Sequence, residues 1–438
     1  MYKIRAIKIV ALLSLVAFVF CGCGNFRLSS SIDDLISPIS PSGDNAGVQS
    51  AVDEYCKGGY SIKIPATGSY TTSFILKDID GDNVNEAVAF YEPSNKVGTI
   101  CMAVIKKSGE RWSVVSKIDG TATDVNSVDF CDLDNDGKQE IIVCWSVVSK
   151  LTGTSINVYT QSEENGKSVL KSMSKAITGS DFICVDANDD SMLELLVFAT
   201  GTSSENPRAE LYSFSGGKKE LIGETRLDST ITSFENITYA KTDEGTSVYA
   251  DALCADGSSM VTEFIYWSDY YGSIISPFYS YSSGRTRETV RSSLVTCRDI
   301  DNDGVIEIPE DTSSKKQSSE ITSQNWMSYG NTVLSHKCYS FACKRDGYIL
   351  VVGDDVFVDV KPEYDSEKRS FRLVDKKSKE TVLEIITLIS SNYSRNDPNY
   401  KGYTTVLKNS GFVYIAKVND NSDIKIDIQT IKDMIKVY

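Results

Sequence analysis

One nine-residue phrase, Asp-x-Asp/Asn-x-Asp-x-x-x-Glu, recurs four times and constrains this chain more than any other feature. The copies run Asp78-Ile-Asp80-Gly-Asp82-Asn-Val-Asn-Glu86, Asp132-Leu-Asp134-Asn-Asp136-Gly-Lys-Gln-Glu140, Asp186-Ala-Asn188-Asp-Asp190-Ser-Met-Leu-Glu194 and Asp299-Ile-Asp301-Asn-Asp303-Gly-Val-Ile-Glu307. The first three begin 54 residues apart (132−78 and 186−132), and the fourth begins 113 residues after the third (299−186), about two further periods. An even period marks a repeat architecture. Oxygen ligands at positions 1, 3, 5 and 9 of a tight loop suit a hard divalent cation.

Each copy obeys the same local logic. A strand delivers the first Asp, and the backbone curls so that positions 3 and 5 turn inward. Position 6 needs positive φ, which Gly137 and Gly304 adopt without strain. Asn83 is a tolerated substitute there, and Ser191 a poorer one. Position 7 (Val84, Lys138, Met192, Val305) offers its backbone carbonyl, and the Glu at position 9 closes the cage. The expected ligand set is therefore Asp78, Asp80, Asp82, Val84 and Glu86; Asp132, Asp134, Asp136, Lys138 and Glu140; Asp186, Asn188, Asp190, Met192 and Glu194; and Asp299, Asp301, Asp303, Val305 and Glu307. The second and fourth loops should bind best and the third worst. An EF-hand is rejected, because position 12 is Ala89, Val143 and Val197 in the first three copies and the flanks read as strands.

Around the loops the chain reads as short β-rich runs. In the first unit these are Ser73–Lys77, Ala87–Tyr91, Thr99–Lys106 and Trp112–Ile118, divided by turn residues. Four strands per unit at this period fit a propeller blade. Between copies three and four lies a degenerate unit, in which Lys241-Thr-Asp243-Glu-Gly245 has lost most ligand oxygens. Counting it gives five units. The fold expected is mainly β: a β-propeller of about five four-stranded blades with calcium loops over 59–341, then a small C-terminal α+β domain over 342–438. Within that domain Gly347–Val360 reads as a strand pair, and Ile428, Ile431 and Ile435 sit at helical spacing near the end.

The loop motif resembles that of the FG-GAP/VCBS repeat family, related to the N-terminal propeller of integrin α subunits. The resemblance spans about residues 60–340 and is carried by the four loops. It implies structural Ca²⁺ and extracellular binding or adhesion rather than catalysis.

The N-terminus supports an outside location. Lys3, Arg5 and Lys8 precede an apolar run from Ile9 to Phe20, too short to span a bilayer comfortably. The run ends in Cys21-Gly22-Cys23, which resembles a lipoprotein lipobox over 1–23 with Cys23 lipidated. A flexible tether and short helix follow over 24–58. This order of leader, tether and repeats resembles surface lipoproteins of Gram-positive gut bacteria, held on the extracellular face of the cytoplasmic membrane by the lipid. A net charge of −15 excludes a basic nucleic-acid footprint. The eleven cysteines show no zinc spacing, and Cys131, Cys144 and Cys184 read as small buried hydrophobes. The single histidine, His336, has no companion motif for nucleophilic or zinc catalysis. Tyr266, Trp267, Tyr270, Tyr271, Phe278, Tyr279 and Tyr281 form an aromatic cluster suited to stacking on a partner or to filling a core. The expectation is a membrane-anchored, non-enzymatic calcium-binding module for a protein or glycan ligand. The alternative is a polysaccharide hydrolase or lyase with catalytic residues not yet identified.

Overall fold

The computed structural model describes residues 43–437, apart from 121, 147–153, 203, 313–319, 331–332, 395–396 and 410. The leader, Cys23 and most of the tether lie outside these residues. No described helix is long and apolar enough to cross a membrane.

The chain is mainly β, built from successive antiparallel sheets. Helix α1 (Asp44–Tyr55) leads into the first meander, β1 (Ile75–Lys77), β2 (Glu86–Pro93), β3 (Cys101–Ser108) and β4 (Arg111–Asp119). Residues Tyr60–Lys63 complete its first-strand position by pairing with the far half of β2. The second meander is β5 (Asp124–Cys131), β6 (Glu140–Ser146), β7 (Ser155–Glu164) and β8 (Lys167–Ser172). The third is β9 (Asp181–Val185), β10 (Glu194–Ala199), β11 (Arg208–Ser213) and β12 (Glu220–Arg226). The fourth is β13 (Ile231–Thr242), β14 (Gly245–Cys254), β15 (Met260–Ser268) and β16 (Ser273–Ile275). The fifth sheet holds β17 (Ile308–Asp311), β18 (Ile321–Gly330), β19 (Val333–Cys343) and β20 (Tyr348–Val352).

Consecutive sheets pack through apolar cores because both faces of each sheet carry hydrophobic residues. Ile75, Phe90 and Met102 meet Val128, Phe130 and Trp145 between the first two sheets. There the Phe90 and Trp145 rings stand edge to face at 5.8 Å. Ile142 and Val158 meet Leu195 and Val197 between the second and third. Leu196 and Phe198 meet Val248 and Ala250 between the third and fourth, and Phe264 meets Ile308 and Tyr329 beyond. The row has two distinct ends. Helix α1 lays Val48, Ala51 and Val52 on Ala87, Ala103 and Trp112 of the first sheet. At the other end the fifth sheet packs on the C-terminal sheet through Phe341, Tyr348 and Leu350 against Phe371, Leu383 and Tyr414.

The C-terminal part departs from expectation in three places. The boundary expected at 341/342 falls inside β19, which runs on to Cys343 and pairs with β20. Asp354 and Asp355 open helix α2 (Asp354–Asp359) instead of turning a hairpin, as suits acids in a helix's first turn. The C-terminal sheet then orders β21 (Val360–Asp365), β22 (Ser370–Asp375), β23 (Thr381–Ile389), β25 (Phe412–Val418) and β24 (Thr404–Asn409). Helix α3 (Ile428–Met434) is capped by the Asp427 carboxylate, which accepts from Gln429 and Thr430 N–H. It is shorter than its isoleucine spacing suggests. Ile435 instead starts β26 (Ile435–Val437), which pairs with β20 and ties the terminus into the fifth sheet.

Cys131 and Cys184 form a disulfide, which corrects their reading as unlinked hydrophobes. It joins the end of β5 to β9, across neighbouring sheets, and closes a loop of sequence separation 53. Loop-closure entropy for that length is about 4 kcal/mol. The Cys131→Ser/Cys184→Ser variant is expected to lose about that much in reversible urea unfolding. Reductant should lower the parent protein's stability and leave the variant's unchanged.

Candidate metal centres

The first three acidic phrases sit in the hairpin between the first and second strands of their meander, and the fourth turns a hairpin just before β17. In the fifth meander an isolated bridge between Arg298 and Glu307 closes this hairpin. The residue after the first Asp (Ile79, Leu133, Ala187, Ile300) is buried, which anchors the loop in the core. Its N–H donates to the Glu at position 9, at 2.9 Å for Ile79 to Glu86, 2.9 Å for Leu133 to Glu140, 3.0 Å for Ala187 to Glu194 and 3.0 Å for Ile300 to Glu307. The Asp at position 5 accepts the N–H of position 7 (Val84, Lys138, Met192, Val305) in all four loops, at 2.8–2.9 Å. Position 6 has positive φ in all four, including 86° at Gly137 and 88° at Gly304, as the curl requires. Position 4 is left-handed too (Gly81, Asn135, Asp189, Asn302), a demand that the sequence pattern did not reveal.

This scaffold gathers three clusters. Carboxylate oxygens of Asp78, Asp80 and Glu86 lie within 4.8 Å of one another, as do those of Asp132, Asp134 and Asp136, and those of Asp299, Asp301 and Asp303. Calcium–oxygen bonds of about 2.3–2.6 Å allow ligands on one ion to stand that far apart. Asp82 stands outside the first cluster, and Glu140 and Glu307 stand outside theirs. Each Glu at position 9 is almost wholly buried, and Glu140 and Glu307 are 0 % exposed. Burial pushes Glu140, Glu194 and Glu307 up to about 7, against the opposing backbone hydrogen bond, and raises Glu86 as well. Asp80 Oδ1, Asp134 Oδ1, Glu140 Oε1 and Asp186 Oδ1 are buried with no hydrogen-bond partner. Buried acceptors of this kind are costly unless something positive completes them. The donor set therefore fits a calcium ion on chemical grounds.

The third loop differs. Asp186, Asn188, Asp190 and Glu194 do not gather three acidic ligands within reach of one ion. The Asn188 amide points a donor at Asp190 Oδ2, 3.1 Å away. Lys241 binds Asp186 at 3.2 Å and Asp189 at 2.8 Å. Lys241 comes from the fourth meander, whose first hairpin is a two-residue turn between Thr242 and Gly245 and forms no acidic cage.

Two other loops also contain a lysine that sequence inspection missed. Lys106 pairs with Asp80 and lies 3.6 Å from Glu86. Lys337 lies 3.2 Å from Asp301 and 2.5 Å from Asp303. The second loop carries Lys138 at position 7, but its carboxylates make no lysine salt bridge among the described residues, and Lys138 acts on Asp134 only at a distance. The register Ala87–Ile105 puts Lys106 opposite Glu86, whereas Ile141–Tyr159 puts neutral Thr160 opposite Glu140. The second loop thus has no ion-paired lysine among its carboxylates, and burial together with Asp136 raises Asp134 against the pull of Lys138.

His336 bridges Asn325 and Asp354 at the surface. The aromatic cluster divides. Tyr266 and Phe278 pack with Phe264 and Tyr329, Tyr279 is buried, and Tyr270, Tyr271 and Tyr281 stay exposed.

No protein-family model matches this chain, and no curated protein matches it. Among solved structures it is similar to Sqt1 from Chaetomium thermophilum, at 8% identity over 71% of each chain with a TM-score of 0.37. A likeness at that level bears on neither fold family nor function.

Proposed function

We propose that this chain is a calcium-stabilised binding module of the FG-GAP/VCBS type. Its five meanders serve as propeller-type blades, held outside the cytoplasmic membrane by lipid on Cys23. The module displays a surface to a protein or glycan partner and performs no catalysis. The observation that carries the calcium reading is the second loop, where Glu140 Oε1 is buried without a partner beside three clustered aspartates that make no lysine salt bridge. Asp132, Asp134, Asp136 and Glu140 would hold the ion there, Asp78, Asp80 and Glu86 in the first loop, and Asp299, Asp301, Asp303 and Glu307 in the fourth. The first and fourth require their lysine to swing aside, so they bind more weakly. Calcium in this role is structural, because it neutralises carboxylates that the fold has already buried.

The test is calorimetric titration of the metal-free protein with calcium. One tight and two weaker sites are expected. Glu140→Gln should abolish the tight one, since the amide removes a full charge from a cage that has no substitute. Retention of the tight site in Glu140→Gln, or no calcium heat at all, would overturn the assignment.

A further inference from the structure

Three edge strands, β5, β9 and β13, are the first strands of neighbouring sheets and face a common cleft of about 800 Å³. The segment before β1 closes one side, where Ala66 and Thr67 donate backbone hydrogen bonds to Val125 and Asn126. The lining mixes polar groups with apolar ones such as Phe182 and Phe234, and its charge is one-signed. It includes Asp129, Asp181 and Glu235 among serines, threonines and asparagines, and none of its nineteen residues is basic. Asp129 accepts only the N–H of Phe130, and Asp181 only that of Phe182, each at 2.8 Å. Neither makes a salt bridge to any described residue, and Lys77 acts on Asp129 only at a distance. Burial raises Asp129 and pushes Asp181 up to about 6. Independently, Ser127 lines the same cleft while 7 % exposed, and its hydroxyl has no hydrogen-bond partner.

We propose that this cleft binds a small organic cation carrying ammonium or guanidinium groups. A single metal ion does not suit it, because Asp129, Asp181 and Glu235 do not bring ligand oxygens within one ion's reach, as the loop carboxylates do. A neutral polyol could use the hydroxyls and amides but would leave two partly buried carboxylates uncompensated. A spaced organic cation answers both the charge and the volume, with Asn126, Ser127 and Asn236 hydrogen-bonding its body. This site is separate from the calcium loops, and its occupancy does not depend on them.

The test is calorimetry on the calcium-loaded protein at physiological salt, using spermidine as a free polyamine and a blocked Gly-Lys-Gly tripeptide as a peptide-borne ammonium. Maltose is the uncharged control. One-to-one binding of at least one cation is expected, with affinity falling about tenfold or more in Asp129→Asn and in Asp181→Asn. Glu235→Gln, at the exposed rim, provides a further variant should either buried site fail to fold, and a several-fold loss is expected there. Asp420→Asn, on the C-terminal surface, should change nothing. The proposal fails if no cation binds, if maltose binds as well, or if the variants bind spermidine unchanged, which would mean diffuse attraction to an acidic surface. Calcium heats recorded on the same samples separate failure of this site from failure of the calcium assignment.

Discussion

Removal of calcium is expected to lower the melting temperature by roughly 5–10 °C, with unfolding beginning in the meanders that carry the clusters. A ligand present at ten to a hundred times its dissociation constant stabilises the folded state by about 1.4–2.7 kcal/mol per site. Three loops then contribute about 4–8 kcal/mol. Unfolding entropy near 2.1 cal/mol/K per residue gives about 0.8 kcal/mol/K over the residues the structure describes, which converts that range to the stated shift. The contribution is large because Glu86, Glu140, Glu194 and Glu307 are buried whether or not an ion is present. The metal-free state must therefore protonate them or bear unpaired charge. The measurement is a thermal melt with calcium, with EDTA, and with calcium restored. Asp134→Asn should shrink the shift, since it weakens the loop whose carboxylates make no lysine salt bridge. Asp190→Asn should leave it unchanged, because Lys241 already fills the third loop. A melt indifferent to EDTA, or an Asp190→Asn effect equal to that of Asp134→Asn, would rule out the assignment of sites.

The loops were legible in the sequence because one turn geometry recurs in all four: the Glu at position 9 accepts the N–H of position 2 and the Asp at position 5 that of position 7, so the pattern survives as letters. The strands around them were legible through turn residues and apolar runs. What stayed hidden depends on elements distant in sequence. Lys106 enters its loop through cross-strand register, and Lys241 and Lys337 through the packing of other strands. The Cys131–Cys184 pair needs two edge strands side by side, which residue types alone do not specify. The aromatic cluster around Tyr266 split between core and surface according to which neighbour covered it. Helix α2 escaped notice because Gly353-Asp354-Asp355 carries the same letters as a hairpin turn and as a helix start. The cleft of β5, β9 and β13 is built from three units and has no local signature at all.

Arg291→Met is expected to destabilise the protein by about 3–5 kcal/mol, although it belongs to no acidic loop. Arg291 and Asp251 are both fully buried side chains, paired at 2.7 Å. The guanidinium also donates to Thr262 Oγ1 at 2.8 Å, Thr289 O at 3.1 Å and Val295 O at 2.7 Å. Asp251 in turn accepts from Asn236 at 3.0 Å, from Thr262 Oγ1 at 2.7 Å and from Cys297 N at 2.7 Å. These bonds fasten the segment 289–297 across the fourth meander, the one whose first hairpin forms no acidic cage, and so position the fifth. A buried pair like this adds little net stability relative to well-packed apolar groups, but loss of one partner leaves a desolvated charge behind. Methionine fills the volume and removes the charge, so the cost isolates the stranded Asp251. Arg291→Met/Asp251→Asn should recover part of the loss, because no net charge then remains inside, although the hydrogen bonds to Cys297 N and Thr262 are weakened. Urea unfolding of the parent, both single variants and the double variant measures the coupling. A single Arg291→Met loss below about 1 kcal/mol, or a double variant no better than the worse single one, would show that this network does not hold the fourth and fifth meanders together.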